Sequence, residues 1–110
     1  MTSADFDLLR GTLDLLVLRA VSAGAQHGFG VTQWIRQVTL DELKIEDGAM
    51  YTSLHRLEKR GYLKSEWGVT ENNRRARYYS LTRAGRKQLG QEAESWDRMS
   101  AMINRVLRTS

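Results

Sequence analysis

Residues 62–81 carry an aromatic-rich, alternating pattern, whereas apolar residues elsewhere in the chain recur at helical spacing. The two alternating runs, 62–67 and 76–81, predict paired strands. The turn formers between them, residues 68–75, predict a loop longer than a two-residue turn. Three helical patterns precede this hairpin and one long pattern follows it. That order predicts a mainly α fold with a small β-hairpin, the winged helix-turn-helix, extended by a long C-terminal helix.

The helix boundaries follow from turn and capping residues. The four predicted helices cover residues 8–23, 27–38, 46–60 and 83–107. Gly24 and Gly61 are expected to end the first and third helices, and Thr82 is expected to cap the last one. His27 is expected to cap or pack at the start of the second helix. Residues 1–82 are therefore assigned to the winged-helix domain and residues 83–110 to a C-terminal helix packed on the same unit.

The positive charge of the chain is concentrated in one segment. The formal net charge is +4, but residues 56–87 contain ten Lys and Arg against three Asp and Glu, whereas residues 1–55 contain four against seven. Such a local excess favours a surface that faces a polyanion. A solvated charged face is the simpler alternative, and the position of the charges on the hairpin argues against it.

Composition excludes several other classes of protein. The chain has no cysteine, which excludes disulfides and thiolate metal sites and agrees with a reducing cytoplasm. Its longest uncharged apolar run, residues 15–18, is far shorter than the ~20 residues of a membrane span. No secretory signal pattern opens the chain. These features predict a cytoplasmic protein.

The third helix and the hairpin together carry side chains suited to DNA. Opposite the apolar stripe of this helix, small, polar and basic residues suit entry into a major groove, and the hairpin arginines suit phosphates or a narrow minor groove. For Tyr51, a role in the core is favoured over a DNA contact. The candidate DNA-binding residues are Ala49, Tyr51, Thr52, Ser53, Arg56, Lys59, Lys64, Asn73, Arg74, Arg75 and Arg77.

The last helix has an apolar stripe that extends beyond what a core of about 80 residues can cover. Pairing with a second copy buries such a stripe economically, and folding back on its own domain is the alternative. Trp96 and Met99 are also a candidate pocket for a flat aromatic effector. The candidate dimerisation residues are Leu9, Leu13, Leu16, Leu89, Ala93, Trp96, Met99, Ile103, Val106 and Leu107.

The sequence contains no pattern that indicates catalysis. His27 and His55 lack metal-ligand spacing, and no nucleophile elbow or glycine-rich phosphate loop with its lysine occurs. We therefore expect no enzyme activity, no metal and no cofactor. Apart from a DNA-binding protein, the alternative is a winged-helix protein-interaction or RNA-associated scaffold whose basic hairpin meets an acidic partner.

Four stretches of the chain carry a family resemblance. These are residues 9–18 (LRGTLDLLVL), 27–30 (HGFG), 48–63 (GAMYTSLHRLEKRGYL) and 74–85 (RRARYYSLTRAG). Together they resemble the first helix, second-helix start, recognition helix and wing of the PadR-like transcriptional regulators. The resemblance covers nearly the full chain and is specific because the four stretches occur together. The single terminal helix is similar to the branch of the family with a short C-terminal segment.

The resemblance implies a homodimer held through the first and last helices. It also implies binding to inverted-repeat operators near promoters, with repression relieved by a small molecule or another cue. Two departures matter. Thr52 stands where the family usually has proline, so the family's operator preference does not carry over. Phe29 stands where tyrosine is common and lacks its hydroxyl.

Overall fold

The computed structural model describes residues 12–110, and its helices and hairpin follow the predicted order. The fold is mainly helical with a small antiparallel sheet, so the predicted fold class is confirmed. The part of the predicted first helix that includes Leu9 lies outside the described residues. The elements are α1 Leu13–Ala20, β1 Gln26–His27, α2 Gly28–Val38, α3 Asp47–Lys59, β2 Leu63–Val69, β3 Arg75–Leu81 and α4 Arg83–Arg108.

A short strand that the sequence pattern did not predict completes the sheet. β1 pairs antiparallel with β3, which places His27 opposite Tyr78, and the strand order is β1-β3-β2. Two residues are too few to show alternation, which explains why the pattern missed this strand. The pairing joins the start of α2 to the middle of the hairpin.

The hairpin is longer and its loop tighter than predicted. The register of β2 and β3 continues to Val69 opposite Arg75. Beyond that pair, the Thr70 N–H donates to the Arg74 carbonyl at 2.8 Å and the Asn73 N–H donates to the Thr70 carbonyl at 2.9 Å. Asn73 has a φ of 62°, the left-handed conformation that commonly closes a three-residue hairpin loop. The loop is longer than a two-residue turn, as predicted, but its predicted bounds, 68–75, are wrong because residues 68, 69 and 75 extend the two strands.

The hydrophobic core lies between α1, α2, α3 and the base of the hairpin. α1 contacts α2, α3 and α4, which explains why it carries apolar residues on several sides. Half-buried Leu81 and Leu89 pack against the margin of this core from the hairpin and from α4. The buried apolar residues are Leu13, Val17, Leu18, Val21, Val31, Ile35, Ile45, Met50, Leu54, Leu57, Leu63 and Tyr79.

Most of the predicted helix ends are confirmed. His27 Nδ1 accepts a hydrogen bond from the Gly30 N–H at 3.1 Å, which caps α2. Gly61 follows the end of α3 with a φ of 81°, the conformation that favours glycine after a helix. The prediction for Gly24 is wrong. α1 ends at Ala20, Val21 is its C-terminal capping residue, and Gly24 does not adopt a left-handed φ.

Thr82, which lies between the hairpin and α4, links the start of α4 to the residue that follows the end of α3. Its hydroxyl donates to the Gly61 carbonyl at 2.6 Å and accepts from the Gly85 N–H at 3.0 Å, as the predicted N-cap. Gly85 is buried so tightly that a Cβ there would overlap the Tyr62 carbonyl oxygen. The long helix thus begins on a rigid junction rather than on a linker.

Only the first part of α4 packs on the body of the molecule. From Trp96 onward its apolar side chains are exposed, and the protein measures 56 Å along its longest axis. Within residues 12–110, no helix combines the length and apolar character needed to cross a membrane.

Candidate nucleic-acid interface

The exposed side of α3 is rotated from the side that the sequence predicted. We call the exposed residues, which recur at helical spacing, the outer stripe of α3. Thr52 lies on this stripe as predicted, and its hydroxyl donates to the Gly48 carbonyl at 2.8 Å. Ala49, by contrast, is half-buried. The outer stripe consists of Gly48, Tyr51, Thr52, His55 and Lys59.

Tyr51 spans the boundary between protein and solvent. Its side chain is 48% exposed, and its ring lies against Gly28 at the start of α2. A Cβ on Gly28 would lie 3.1 Å from the Tyr51 Cε1 atom. The ring therefore packs at the edge of the fold while part of it stays accessible, so Tyr51 is not the buried core residue that the sequence favoured.

Two predicted contacts, Ser53 and Arg56, are engaged inside the protein. The Ser53 hydroxyl donates to Asp14 Oδ1 at 2.6 Å. Arg56 donates to both oxygens of the same carboxylate, at 2.9 Å from Nε and 2.5 Å from Nη2. Ser53 is 0% exposed, so the prediction that it lies on the open face is wrong. Asp14 on α1 turns this side of α3 inward, and we call these three residues the Asp14 network.

The charges in the Asp14 network stabilise each other. Burial of the Asp14 carboxyl favours its neutral form. Hydrogen bonds from Arg56 and Ser53, with the charges of Arg56 and Arg60, outweigh burial and hold the pKa of Asp14 below its usual value. The hydrogen bond to Asp14 in turn raises the pKa of Arg56. The carboxylate therefore stays ionised and fixes α1 against α3.

The hairpin presents its basic side chains to solvent, as predicted. Asn73, Arg74 and Arg75 are exposed at the loop and the start of β3, and Lys64 is exposed on β2. The Arg74 N–H donates to the Thr70 hydroxyl oxygen at 3.2 Å, so the loop that carries these residues is internally hydrogen-bonded. We call the exposed residues Asn73, Arg74 and Arg75 the hairpin tip; they form a cationic surface on a hydrogen-bonded loop.

Arg77 links the hairpin to α3. Its Nε donates to the Ser65 hydroxyl oxygen at 3.0 Å, and that hydroxyl donates to Glu58 Oε2 at 2.5 Å. Arg77 Nη2 also lies 3.9 Å from Glu58 Oε2. The face of the hairpin that carries Ser65 and Arg77 is therefore turned toward α3. Arg77 remains exposed, but part of its hydrogen-bonding capacity is used within the protein.

The sequence analysis missed three residues that matter at this surface. Asp14 breaks the apolar pattern of α1, and an acid in a helix enclosed on most sides signals a cationic partner. His55 completes the outer stripe of α3. Trp67, 57% exposed, lies opposite Arg77 in the hairpin register. Its position in an alternating strand, paired with a strand that contains arginines, could have indicated an aromatic contact with those arginines.

The apolar residues assigned to a dimer interface fall into two groups. Leu13 is 6% exposed within its own core, which removes it from any surface offered to a second copy. Leu16, Leu89 and Ala93 are half-buried on the body. The other predicted residues are exposed along α4, together with Met102. They are Trp96, Met99, Ile103, Val106 and Leu107.

Comparison with known proteins points to a family of regulators. A family model described as the transcriptional regulator PadR-like family matches residues 17–91. The transcriptional regulator Rv3488 of Mycobacterium tuberculosis is 30% identical over 94 residues, covering 86% of this chain and 84% of that protein. A transcriptional regulator from Clostridium thermocellum has a similar structure, with a TM-score of 0.82, 32% identity and 96% of both chains covered. The structure of a PadR family transcriptional regulator from Eggerthella lenta is also similar, with a TM-score of 0.83 and 27% identity. The match covers 98% of this chain and 92% of that one.

Proposed function

Because the chain belongs to the PadR-like family of transcriptional regulators, we propose that it is a cytoplasmic repressor that binds an operator in duplex DNA as a homodimer. The observation that carries this proposal is the pairing of two exposed surfaces. The outer stripe of α3 and the cationic hairpin tip lie on adjoining elements, which Glu58, Ser65 and Arg77 hold together. A helix beside a basic hairpin suits a major groove and its flanking backbone.

The contact set that we propose differs in part from the predicted one. Thr52 and His55 are the base-reading candidates, because they lie on the outer stripe and carry hydrogen-bonding groups. Lys59 and Tyr51 flank them and suit phosphate contacts. The hairpin residues proposed to contact the DNA backbone are Lys64, Asn73, Arg74 and Arg75.

Binding to a random-sequence duplex across a salt series tests the proposal. Arg74→Ala and Arg75→Ala are each expected to weaken binding to every sequence alike and to reduce the salt slope by about 1, because each removes one phosphate contact. Arg98→Ala, an equal loss of charge on the exposed side of α4, is the matched control and keeps the slope. Absence of duplex binding by the wild type at low salt contradicts the proposal. Binding to an acidic polypeptide instead would favour the scaffold alternative.

For the homodimer, we propose that residues 83–110 provide the main interface. The exposed stripe of α4 is apolar over about three turns, and a two-fold axis covers it with an identical patch. Ile103→Glu is expected to shift the protein to a monomer in light scattering coupled to size exclusion. Asn104→Glu adds the same charge one position away, outside the stripe, and is expected to leave the dimer intact. A wild-type monomer at micromolar concentration contradicts this interface.

A two-fold dimer implies an inverted-repeat operator. The two half-sites are expected about one helical turn apart, 34–36 Å centre to centre, or at a multiple of it. Selection from a random duplex pool should therefore enrich a palindromic consensus, and an asymmetric consensus would contradict the two-fold arrangement. In a purified transcription system, a promoter that overlaps the selected site should yield fewer transcripts when the protein is added.

For the effector, we propose a flat aromatic molecule held between the two copies of Trp96 and Met99. These side chains lie one turn apart on α4 and are 42% and 49% exposed. An indole and a thioether suit a planar apolar ligand. Quenching of Trp96 fluorescence by planar dyes, with release of bound DNA, is the expected result. Dyes that leave the emission unchanged contradict this pocket.

A further inference from the structure

The hairpin carries an exposed tryptophan between two arginines, on the side that faces α3. The guanidinium carbons of Arg75 and Arg77 lie 4.7 Å and 5.2 Å from the centre of the Trp67 ring. Trp67 and Arg77 are directly paired across the strands, and Arg75 is two residues further along β3, so all three share one face. Ser65 on the same face donates to Glu58 of α3.

The two arginines differ in whether an acidic side chain lies near the guanidinium group. Arg77 has Glu58 at 3.9 Å and the Ser65 hydroxyl at 3.0 Å. Arg75 makes no salt bridge within residues 12–110 and contacts the indole instead. A guanidinium placed over a ring keeps the N–H donors at its rim available, and their planar fork matches phosphate oxygens. This face therefore retains a cation oriented by an aromatic ring.

Apolar surface lies next to that cation. Trp67 is 57% exposed and Val69, the next residue on the same face, is 60% exposed. Isolated apolar side chains are common on protein surfaces and need no explanation by themselves. These two differ because they lie beside Arg75, a cation that has no salt-bridge partner within residues 12–110. A ligand that presents C–H groups next to an anion fits the combination. The backbone of DNA repeats such a unit, a deoxyribose joined to a phosphate.

We propose that Trp67 and Arg75 form a binding site for one deoxyribose–phosphate unit of the operator backbone, an inference that rests on the DNA binding proposed above. The indole packs on the sugar, and Arg75 pairs with the adjoining phosphate. Trp67 also acts as the positioning residue that orients Arg75. Along β2, Trp67 lies between Ser65, which is bonded to Glu58 of α3, and the loop that carries Arg74, so the site adjoins the proposed contact residues of the hairpin.

Binding of the full-length protein to a random-sequence duplex, measured by fluorescence anisotropy across a salt series, tests the site. Trp67→Ala is expected to weaken binding about 3–20-fold at every salt concentration. The salt slope is expected to fall by less than the value of about 1 that Arg75→Ala removes, because the Arg75 charge is kept but is no longer oriented by the ring. Trp67→Phe should give an intermediate loss. Trp34→Phe is the matched control, since Trp34 also has an arginine over its ring, Arg19 at 5.7 Å, but lies on α2.

Tryptophan emission provides a second readout that a loss of stability would not mimic. DNA should change the emission of the wild type and of Trp34→Phe, and this change should be absent in Trp67→Phe. An emission change that persists in Trp67→Phe, or wild-type affinity in Trp67→Ala, overturns the site.

The outcomes also separate this site from the proposed function. If Arg74→Ala weakens binding and Trp67→Ala does not, the site fails while DNA binding stands. If the wild type binds no duplex, both fail. If poly-glutamate, but not duplex DNA, changes Trp67 emission, the surface belongs to an acidic protein partner and the site proposed here is wrong.

Discussion

The inner side of α3 and the hairpin tip contain similar side chains but use them differently. On α3, Arg56 and Ser53 point to α1 and are bound by one carboxylate, Asp14. On the hairpin, Arg74 and Arg75 face solvent. The difference is the neighbouring element, because an acid on a packed helix converts nearby polar side chains into internal partners. A basic residue is therefore available to a ligand only where no fixed anion faces it.

Removing the shared carboxylate should break this contrast most severely. Asp14→Ala leaves the buried Ser53 hydroxyl without its acceptor and the Arg56 charge without its partner. We expect the free energy of unfolding to fall by about 2–3 kcal/mol. This loss is smaller than the loss expected for a fully buried ion pair, because Arg56 is partly exposed. Urea denaturation measures this change. Glu94→Ala, which removes an exposed pair with Arg98 on α4, should cost at most about 0.5 kcal/mol, and equal losses would contradict the contrast.

The same network should give a defined pH dependence. The pKa of Asp14 is lowered in the folded protein, since its hydrogen bonds to Arg56 and Ser53 outweigh the effect of burial. The stability it contributes is therefore fully present above the pKa of an unfolded aspartate, about 3.9, and is lost as pH falls through the lower folded value. Wild type and Asp14→Asn should differ at neutral pH and converge in acid. A difference independent of pH would exclude this contribution.

Two neighbouring hydroxyls on α3 sharpen the comparison within one helix. Ser53→Ala should lower stability by about 1–2 kcal/mol and leave the selected operator sequence unchanged, because Ser53 is buried against Asp14. Thr52→Ala should change stability by less than about 0.5 kcal/mol and alter the selected sequence, because Thr52 is exposed. Thermal melts and selection from a random duplex pool measure both. The reverse pattern would restore the face predicted from the sequence.

The smallest expected effect on stability is at the hairpin tip. Arg74→Ala should leave the free energy of unfolding within about 0.5 kcal/mol of the wild type, because its side chain is exposed and makes no salt bridge within residues 12–110. Its duplex affinity should nevertheless fall. A melting temperature that drops as far as that of Asp14→Ala would show that the tip is structural.

The element order was predictable because each element has its own periodicity and turn residues. The alternation in β2 and β3, the cap at Thr82 and the stop at Gly61 are all local features of the sequence, and all three are confirmed. β1 was not predictable, because its two residues acquire strand geometry only by pairing with β3.

The rotation of α3 was not predictable from its own pattern. The apolar stripe at Met50, Leu54 and Leu57 defines a buried side, but it does not say how far that side extends. That limit is set by Asp14, 39 residues from Ser53 along the chain. Whether a polar side chain on α3 is open to a ligand or hydrogen-bonded within the protein depends on such long-range pairs. The exposed tip of a hairpin has few neighbours, so the exposure of its side chains is simpler to predict.

The Thr82 junction has a mechanical consequence for the proposed dimer. With 26 residues, α4 is a stiff rod about 39 Å long, and it begins at Thr82, where the end of α3 and the base of the hairpin meet. A change of about 10° in the angle at which two such helices cross moves each Thr82 junction by about 3.5 Å, so the separation of the two junctions changes by up to about 7 Å, roughly two base-pair steps of a duplex. A substitution or small molecule that alters the crossing angle can thereby retune operator spacing without touching a residue that meets DNA.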